Sequence, residues 1–96
     1  MTITREMNGT TMTFRIEGSL DTLTPPALME ELEKDMDGAD ELILDFQGVP
    51  YISSAGLRAV LGAYKQMNGR LKLIHVSEIL MEVLEVTGLN ETLTIE

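Results

Sequence analysis

The sequence predicts an α/β domain in which helices pack against a central mixed sheet of about four to five strands. Two observations indicate this class. Short apolar runs that suit strands alternate with longer segments whose apolar residues recur at helical spacing. The resulting order of elements is β-β-α-β-α-β-α, and a short last strand can follow. The length of 96 residues and the hydrophobic share of 44% suit one small core. We therefore expect a single domain over residues 1–96.

A β-hairpin and then a helix are predicted in the first part of the chain. Residues 3–7 and 11–17 suit strands, and Asn8-Gly9 between them is a strong hairpin signal because both residue types tolerate positive φ. After a loop, Thr24 is an acceptable N-cap for a helix whose prolines fit the first turn. Apolar residues at four-residue spacing and an outer face rich in glutamate continue this helix until a glycine ends it.

Two further strand–helix pairs are predicted in the second part. The apolar run 42–44 suits a strand covered on both faces, and residues 45–51 suit a loop before a helix that Asn68-Gly69 ends. This second helix should bury the residues at its helical spacing: Leu57, Val60, Leu61, Tyr64 and Met67. Residues 71–74 suit the next strand, a serine then caps the third helix, and the chain ends with the short last strand.

The charge of the chain argues against several classes of partner. The net charge is -9, from 16 acidic and 7 basic residues, and such a surface repels phosphate backbones and anionic lipids. We therefore expect no nucleic acid and no membrane partner, whereas a basic protein face fits. Acidity also keeps small proteins soluble, so it does not identify a partner by itself. The absence of cysteines, of a signal-peptide pattern and of a bilayer-spanning run favours the cytoplasm.

Residues suited to catalysis are few. The only histidine is His75, and Ser54, His75 and Asp45 could in principle form a triad, but nothing in their spacing requires it and no G-x-S-x-G motif is present. With one histidine and no cysteine, a metal site would need carboxylates, and no D-x-D-x-D-G pattern occurs. We expect no enzymatic activity, no metal and no cofactor.

Two adjacent serines in YISSAGLR, residues 51–58, begin the second helix and permit two interpretations. The simpler one is an N-cap, which stabilises a helix by about 1 kcal/mol. Alternatively, Ser54 is a phosphorylation site, because it follows the carboxyl end of a strand and lies beside the small residues Ala55 and Gly56. A phosphoryl group there would meet free N–H groups and the positive end of the helix dipole. Arg58, one turn further, is placed either to lean back toward it or to face a partner.

Three segments of the chain are informative when they are taken together and in this order: GSLDTLTPPAL, LILDFQGVPYISSAGLRAVLGAYK and LKLIHVSEILMEVLEVTGL. Together they resemble the STAS family, and within it the stand-alone bacterial anti-sigma-factor antagonists. The resemblance implies a cytoplasmic binding protein without catalysis of its own. In this family the unphosphorylated antagonist binds an anti-sigma factor that is also a serine kinase, which frees the sigma factor. The kinase phosphorylates the antagonist with ATP, the complex dissociates, and a metal-dependent serine phosphatase restores the antagonist.

The same resemblance implies which residues act. The phosphoacceptor of the family lies two places before a loop glycine, and Gly56 is that glycine, so Ser54 matches the acceptor. Ser53 occupies a place that is often Asp in the family. Ala55 occupies one that is often Ser or Thr, which removes a competing hydroxyl. The implied partner-binding residues are Asp21, Thr24, Ser53, Ser54, Gly56, Leu57 and Arg58.

Two other functions stay open on this pattern. A constitutive STAS scaffold in a regulatory complex would use the same face without phosphorylation. The presence of Ser53 where the family often has Asp is compatible with this function. Identical partner binding by wild type and Ser54→Asp would favour this scaffold. A small-molecule sensor has less support, since a short core leaves little space for a pocket.

Overall fold

The computed structural model describes residues 2–18, 30, 32–34 and 38–96, and it has the predicted α/β class. Its elements are β1 (Thr2–Asn8), β2 (Thr11–Glu17), β3 (Glu41–Gly48), α1 (Ser54–Gln66), β4 (Leu71–Ile74), α2 (Glu78–Thr87), α3 (Leu89–Thr92) and β5 (Thr94–Ile95). Residues 30 and 32–34 are helical, where the sequence predicts the first helix. The short helix α3 is an addition to the predicted elements. Among the described residues, none of the helices combines the length and the hydropathy needed to cross a membrane.

The five strands form one mixed sheet in the order β1-β2-β3-β4-β5. β1 pairs with β2 antiparallel, and the remaining pairs are parallel. Because right-handed crossovers join parallel strands in sequential order, the connecting helices are brought to the same face of the sheet. The predicted mixed sheet of about four to five strands is thereby confirmed.

The hairpin between β1 and β2 turns one residue later than predicted. Asn8 pairs with Thr11, so the two turn residues are Gly9 and Thr10, and Asn8 belongs to the strand. Gly9 has φ 66°, a conformation that costs glycine little. A glycine at the first turn position is typical of the II′ turn, which matches the twist of the two strands.

One face of the sheet carries the core. The buried side chains there are Met12, Phe14, Ile16, Leu42, Leu44, Phe46, Leu71 and Leu73 from the strands, with Leu32, Leu57, Val60, Ala63, Leu80 and Leu84 from the helices. Ile43 points to the other face and is only half-buried. The prediction that residues 42–44 are covered on both faces is therefore wrong, because the crossovers place the helices on one side.

Strand β3 continues to residue 48, through most of the segment predicted as a loop. Asp45 pairs with Arg15 and Gly48 pairs with Glu17 of β2, so the ladder to β2 holds this segment extended. Phe46 is buried in the core, which fixes the same segment from the helical side. Only residues 49–53 remain to connect β3 to α1, and a short connection therefore positions the start of that helix.

We expect Gly48→Ala to destabilise the fold by about 1–2 kcal/mol. A Cβ on Gly48 would lie 2.9 Å from Cγ of Glu17 and 3.2 Å from the carbonyl oxygen of Ile16, and the Gly18 N–H fixes the backbone by donating to the Gly48 carbonyl at 2.9 Å. Gly62 in α1 has open space around it, so Gly62→Ala should stabilise the protein by about 0.5–1 kcal/mol through helix propensity. Urea denaturation measures both variants, and effects of the same sign would disprove this reading of Gly48.

Candidate functional site

Helix α1 begins at the serine pair, and its cap is Ser53. This residue has an extended backbone, its Oγ accepts a hydrogen bond from the Gly56 N–H at 3.2 Å, and its carbonyl accepts from the Leu57 N–H at 2.9 Å. This is the geometry of an N-cap, in which one side-chain oxygen satisfies a first-turn donor. Because one serine is enough to cap a helix, Ser53 alone fulfils the simpler interpretation of the pair.

Ser54 is the first helical residue, and it is exposed. Within the described part of the chain, its hydroxyl makes no hydrogen bond. The first N–H groups of a helix lack partners inside it and carry partial positive charge. The first turn of α1 contains no acidic side chain that would neutralise this charge. The Ser54 hydroxyl is therefore accessible, and the helix end favours an anion attached to it.

A shallow cavity of about 230 Å³ adjoins Ser54. It is lined from α1 and from the junction of α2 and α3 by Ser54, Leu57, Arg58, Leu61, Thr87 and Leu89. Arg58 lies one turn after Ser54 and is exposed, and in the residues that the structure describes its guanidinium makes no ion pair. The surface beside Ser54 thus combines a hydroxyl, a cation and apolar walls.

The other predicted partner-binding residues are placed differently. Gly56 and Leu57 are buried, and Leu57 lines the cavity from the side of the core. Asp21 and Thr24 lie outside the described residues, and so does the helix cap predicted at Thr24. Of the predicted residues that the structure describes, those that offer surface are Ser53, Ser54 and Arg58.

A second polar cluster lies around Asp45, on the face of the sheet opposite the core. This residue is buried, and its carboxylate accepts a hydrogen bond from the Gln47 N–H at 3.0 Å and lies 2.9 Å from His75 Nδ1. Arg15 Nε lies 3.5 Å from the same carboxylate. His75 follows β4 with φ 57°, a left-handed conformation that is uncommon for residues other than glycine. The cluster therefore joins β2, β3 and the residue that follows β4.

These positions separate the residues considered for a catalytic triad. Asp45 and His75 do contact each other, but Asp45 alternates with Leu44 and Phe46, which face the helices, so it lies on the opposite face of the sheet. In the described residues, Ser54 hydrogen-bonds neither Asp45 nor His75. The Asp45–His75 pair therefore connects β3 with the residue that follows β4 and does not activate the serine.

The pKa of Asp45 is lowered by its contacts. Burial acts to raise this pKa, but the hydrogen bonds from Gln47 and His75 and the charges of His75 and Arg15 outweigh burial, so the pKa lies below its ordinary value. The unfolded chain therefore binds this proton more tightly than the folded one does. Stability from Asp45 is present above the unfolded pKa of about 3.9 and is lost as the pH falls through the lower folded pKa.

We expect Asp45→Asn to destabilise the protein by about 1–2 kcal/mol at pH 7, because a neutral amide loses the ion pair with Arg15 and replaces the carboxylate that contacts His75 Nδ1 and the Gln47 N–H. The difference from wild type should shrink as the pH falls below about 3.9, since the unfolded wild-type chain then takes up a proton before folded Asp45 does. Thermal unfolding at several pH values measures this. Asp40→Asn, at an exposed residue, is the control, with an expected change below about 0.5 kcal/mol. A penalty for Asp45→Asn that stays constant with pH is incompatible with this role.

Comparison with known proteins assigns the chain to a family. The family model of the STAS domain matches residues 2–96. The chain belongs to the STAS domain family. The anti-sigma-B factor antagonist of Bacillus subtilis is similar to this STAS domain, with 31% identity over 83 residues, which is 83% of this chain and 76% of the relative. The resemblance predicted from the three sequence segments is confirmed.

Solved structures share the architecture of this STAS domain. An anti-sigma factor antagonist from Mycobacterium paratuberculosis superposes with a TM-score of 0.88 at 21% identity, over 98% of this chain and 83% of that chain. The Bacillus cell fate determinant SpoIIAA in its phosphorylated form gives a TM-score of 0.75 at 21% identity, over 99% of this chain and 91% of that chain. At these identities the likeness shows the fold, and it confirms the predicted STAS architecture.

Proposed function

We propose that this STAS protein is an anti-sigma-factor antagonist whose partner binding is switched by phosphorylation of Ser54. The observation that carries the proposal is the different roles of the two serines: Ser53 caps α1, and Ser54 presents an exposed hydroxyl. The relative from Bacillus subtilis is named an anti-sigma-B factor antagonist, and a structural neighbour is known in a phosphorylated form. The proposed partners are an anti-sigma factor that is also a serine kinase and a metal-dependent serine phosphatase, in the cytoplasm.

The partner has to supply the chemistry of phosphorylation. In the transfer, Ser54 Oγ forms a bond to the γ-phosphorus of ATP, the bond from that phosphorus to the β-phosphate oxygen breaks, and ADP leaves. The hydroxyl proton passes to a base. Where the structure describes the chain, no carboxylate or imidazole hydrogen-bonds the Ser54 hydroxyl, so the base belongs to the kinase. The protein is then a substrate and a binding module without catalysis of its own.

Phosphorylation changes the charge of this surface more than its shape. It adds about -1.5 to -2 charges to a chain whose net charge is already -9. Helix α1 tolerates the group because its first N–H groups and its dipole favour an anion at this end. A partner packed against the cavity beside Ser54 would have to bury a phosphate of about two negative charges, which the single charge of Arg58 does not neutralise, and this is strongly unfavourable. Release of the partner therefore does not require the domain to refold.

The proposed partner surface keeps the residues that the family resemblance implies: Asp21, Thr24, Ser53, Ser54, Gly56, Leu57 and Arg58. Ser54 and Arg58 are its exposed groups in the described structure, and the apolar walls of the cavity extend it. Apolar area beside an arginine is typical of protein interfaces. The net charge of -9 disfavours nucleic acid and anionic membranes as occupants of this surface.

Quantitative affinity capture from a lysate of the source organism tests this proposal with three baits: wild type, Ser54→Ala and Ser54→Asp. We expect wild type and Ser54→Ala to retain an anti-sigma factor with a kinase fold, identified by mass spectrometry, and Ser54→Asp to lose it. Equal retention of the same partners by all three baits would favour a constitutive scaffold that uses this face without a switch.

A further inference from the structure

We propose that Arg58 binds the phosphoryl group of Ser54, so that phosphorylation removes the exposed cation of this surface as well as adding negative charge. The inference rests on the proposed modification of Ser54 and concerns what that modification does inside the domain. Ser54 and Arg58 line the same cavity, and in the part of the chain that the structure describes Arg58 has no other ionic partner. The cation is therefore available to the phosphate.

The spacing of the two residues on α1 brings their side chains together. Residues four apart on a helix lie on one face, with Cβ atoms about 5–6 Å apart. The Cα–Cβ bonds of a helix tilt toward its N-terminus, so the Arg58 side chain leans over the turn that begins with Ser54. A guanidinium offers two parallel N–H donors, which match the spacing of phosphate oxygens. The pair thus forms within one helix and needs no movement of another element.

The surroundings of the two residues favour an ion pair. Leu57, Leu61 and Leu89 line the same cavity, and apolar walls lower the local dielectric constant and strengthen the attraction between opposite charges. The first turn of α1 has no acidic side chain to compete for Arg58. The cap Ser53 is neutral, so it neither repels the phosphate nor attracts the guanidinium as a carboxylate would. Phosphorylation then turns a cationic surface into an anionic one.

Phosphoserine installed at position 54 by genetic encoding allows the pair to be measured without a kinase. The probe is the second ionisation of this phosphate, with an unperturbed pKa of about 6, followed by ³¹P NMR titration of the full chain. A guanidinium beside the phosphate favours the dianion and lowers this pKa. We expect Arg58→Gln to move the titration midpoint upward by about 0.2–0.4 pH units relative to the phosphoprotein with Arg58 in place.

Lys65→Gln is the matched control, because it removes the same charge from the same helix three turns from Ser54, about 16 Å along the axis. It should leave the midpoint unchanged, and Arg58→Lys should recover part of the shift. Equal midpoints for Arg58→Gln and Lys65→Gln would overturn the proposal. The titration uses encoded phosphoserine and does not depend on a kinase. A negative titration result would therefore not argue against phosphorylation of Ser54. Conversely, a kinase that does not modify Ser54 would not change the titration result.

Discussion

Ser54→Asp will bind the anti-sigma factor about 100-fold more weakly than the unsubstituted protein does, a loss of about 2.7 kcal/mol. The carboxylate adds a negative charge to a surface where Ser54 offers a neutral hydroxyl and Arg58 a cation. Burying that charge against a partner is unfavourable, and an ion pair with Arg58 would take the cation of this surface away from the partner. Isothermal titration calorimetry with the purified anti-sigma factor measures the affinity.

Two variants separate a local effect of charge from a general one. Ser54→Ala removes the hydroxyl and adds no charge, so it should bind within about threefold of wild type. Gln66→Glu adds the same charge at the far end of α1, about 18 Å along the helix from Ser54, and should bind as wild type does. If Gln66→Glu weakened binding as much as Ser54→Asp, the overall charge would be responsible and the proposed site would be wrong.

Phe14→Ala will lower the free energy of unfolding by about 3–5 kcal/mol, a large part of the total for a small domain. Phe14 is 0% exposed on β2, between β1 and β3, and belongs to the face on which the helices pack. The Arg5 guanidinium lies 5.7 Å from the centroid of its ring, so the truncation also removes a cation–π contact. Urea denaturation followed by circular dichroism gives the value.

Val86→Ala is the control for this truncation, because Val86 is 88% exposed on α2 and its loss should change stability by less than about 0.5 kcal/mol. Where Phe14→Ala does not fold, Phe14→Leu keeps an apolar side chain and should cost less than about 1.5 kcal/mol. A cost of Phe14→Ala no greater than that of Val86→Ala would mean that the core does not lie on this face of the sheet.

The elements with strong local signals could be predicted from the sequence. Ser77 caps α2 by accepting from the Leu80 N–H at 3.2 Å, and Gly88 ends the helix with φ 79°. Asn68 and Gly69, both with positive φ, follow the end of α1. Caps, helix-ending glycines and period-two alternation depend on a few neighbouring residues, so a single sequence contains the information.

Features that depend on tertiary contacts could not be predicted in this way. The segment 45–48 contains polar residues and a glycine, which are typical of a loop, but pairing with β2 makes it part of a strand. In α1 the large residues Leu61 and Tyr64 are half-buried, whereas the small residues Ala59 and Ala63 are buried. The rotation of a helix about its axis is set by its packing against the sheet, and a repeat of apolar residues does not fix that rotation.

Some features of the candidate site could also be predicted from local sequence, whereas others depend on the tertiary structure. That the serine pair starts a helix follows from local pattern, whereas the assignment of the cap to Ser53 depends on backbone angles that only the structure shows. The contact of Asp45 with His75 joins residues that are distant in sequence, and it arises because β3 and β4 are neighbours in the sheet. Local chemistry left two interpretations of Ser54 open, and the family resemblance favoured the phosphoacceptor.

The most direct test of the central claim is release of the partner from a preformed complex by ATP. Wild type and Ser54→Ala are each assembled with the purified anti-sigma factor, given magnesium and ATP, and separated by size-exclusion chromatography, and mass spectrometry identifies the modified residue. The predicted result is that wild type leaves the complex with one phosphoryl group on Ser54, while Ser54→Ala stays bound. Retention of wild type with phosphate on Ser54, or release of Ser54→Ala by ATP, would contradict the claim that charge on Ser54 controls binding.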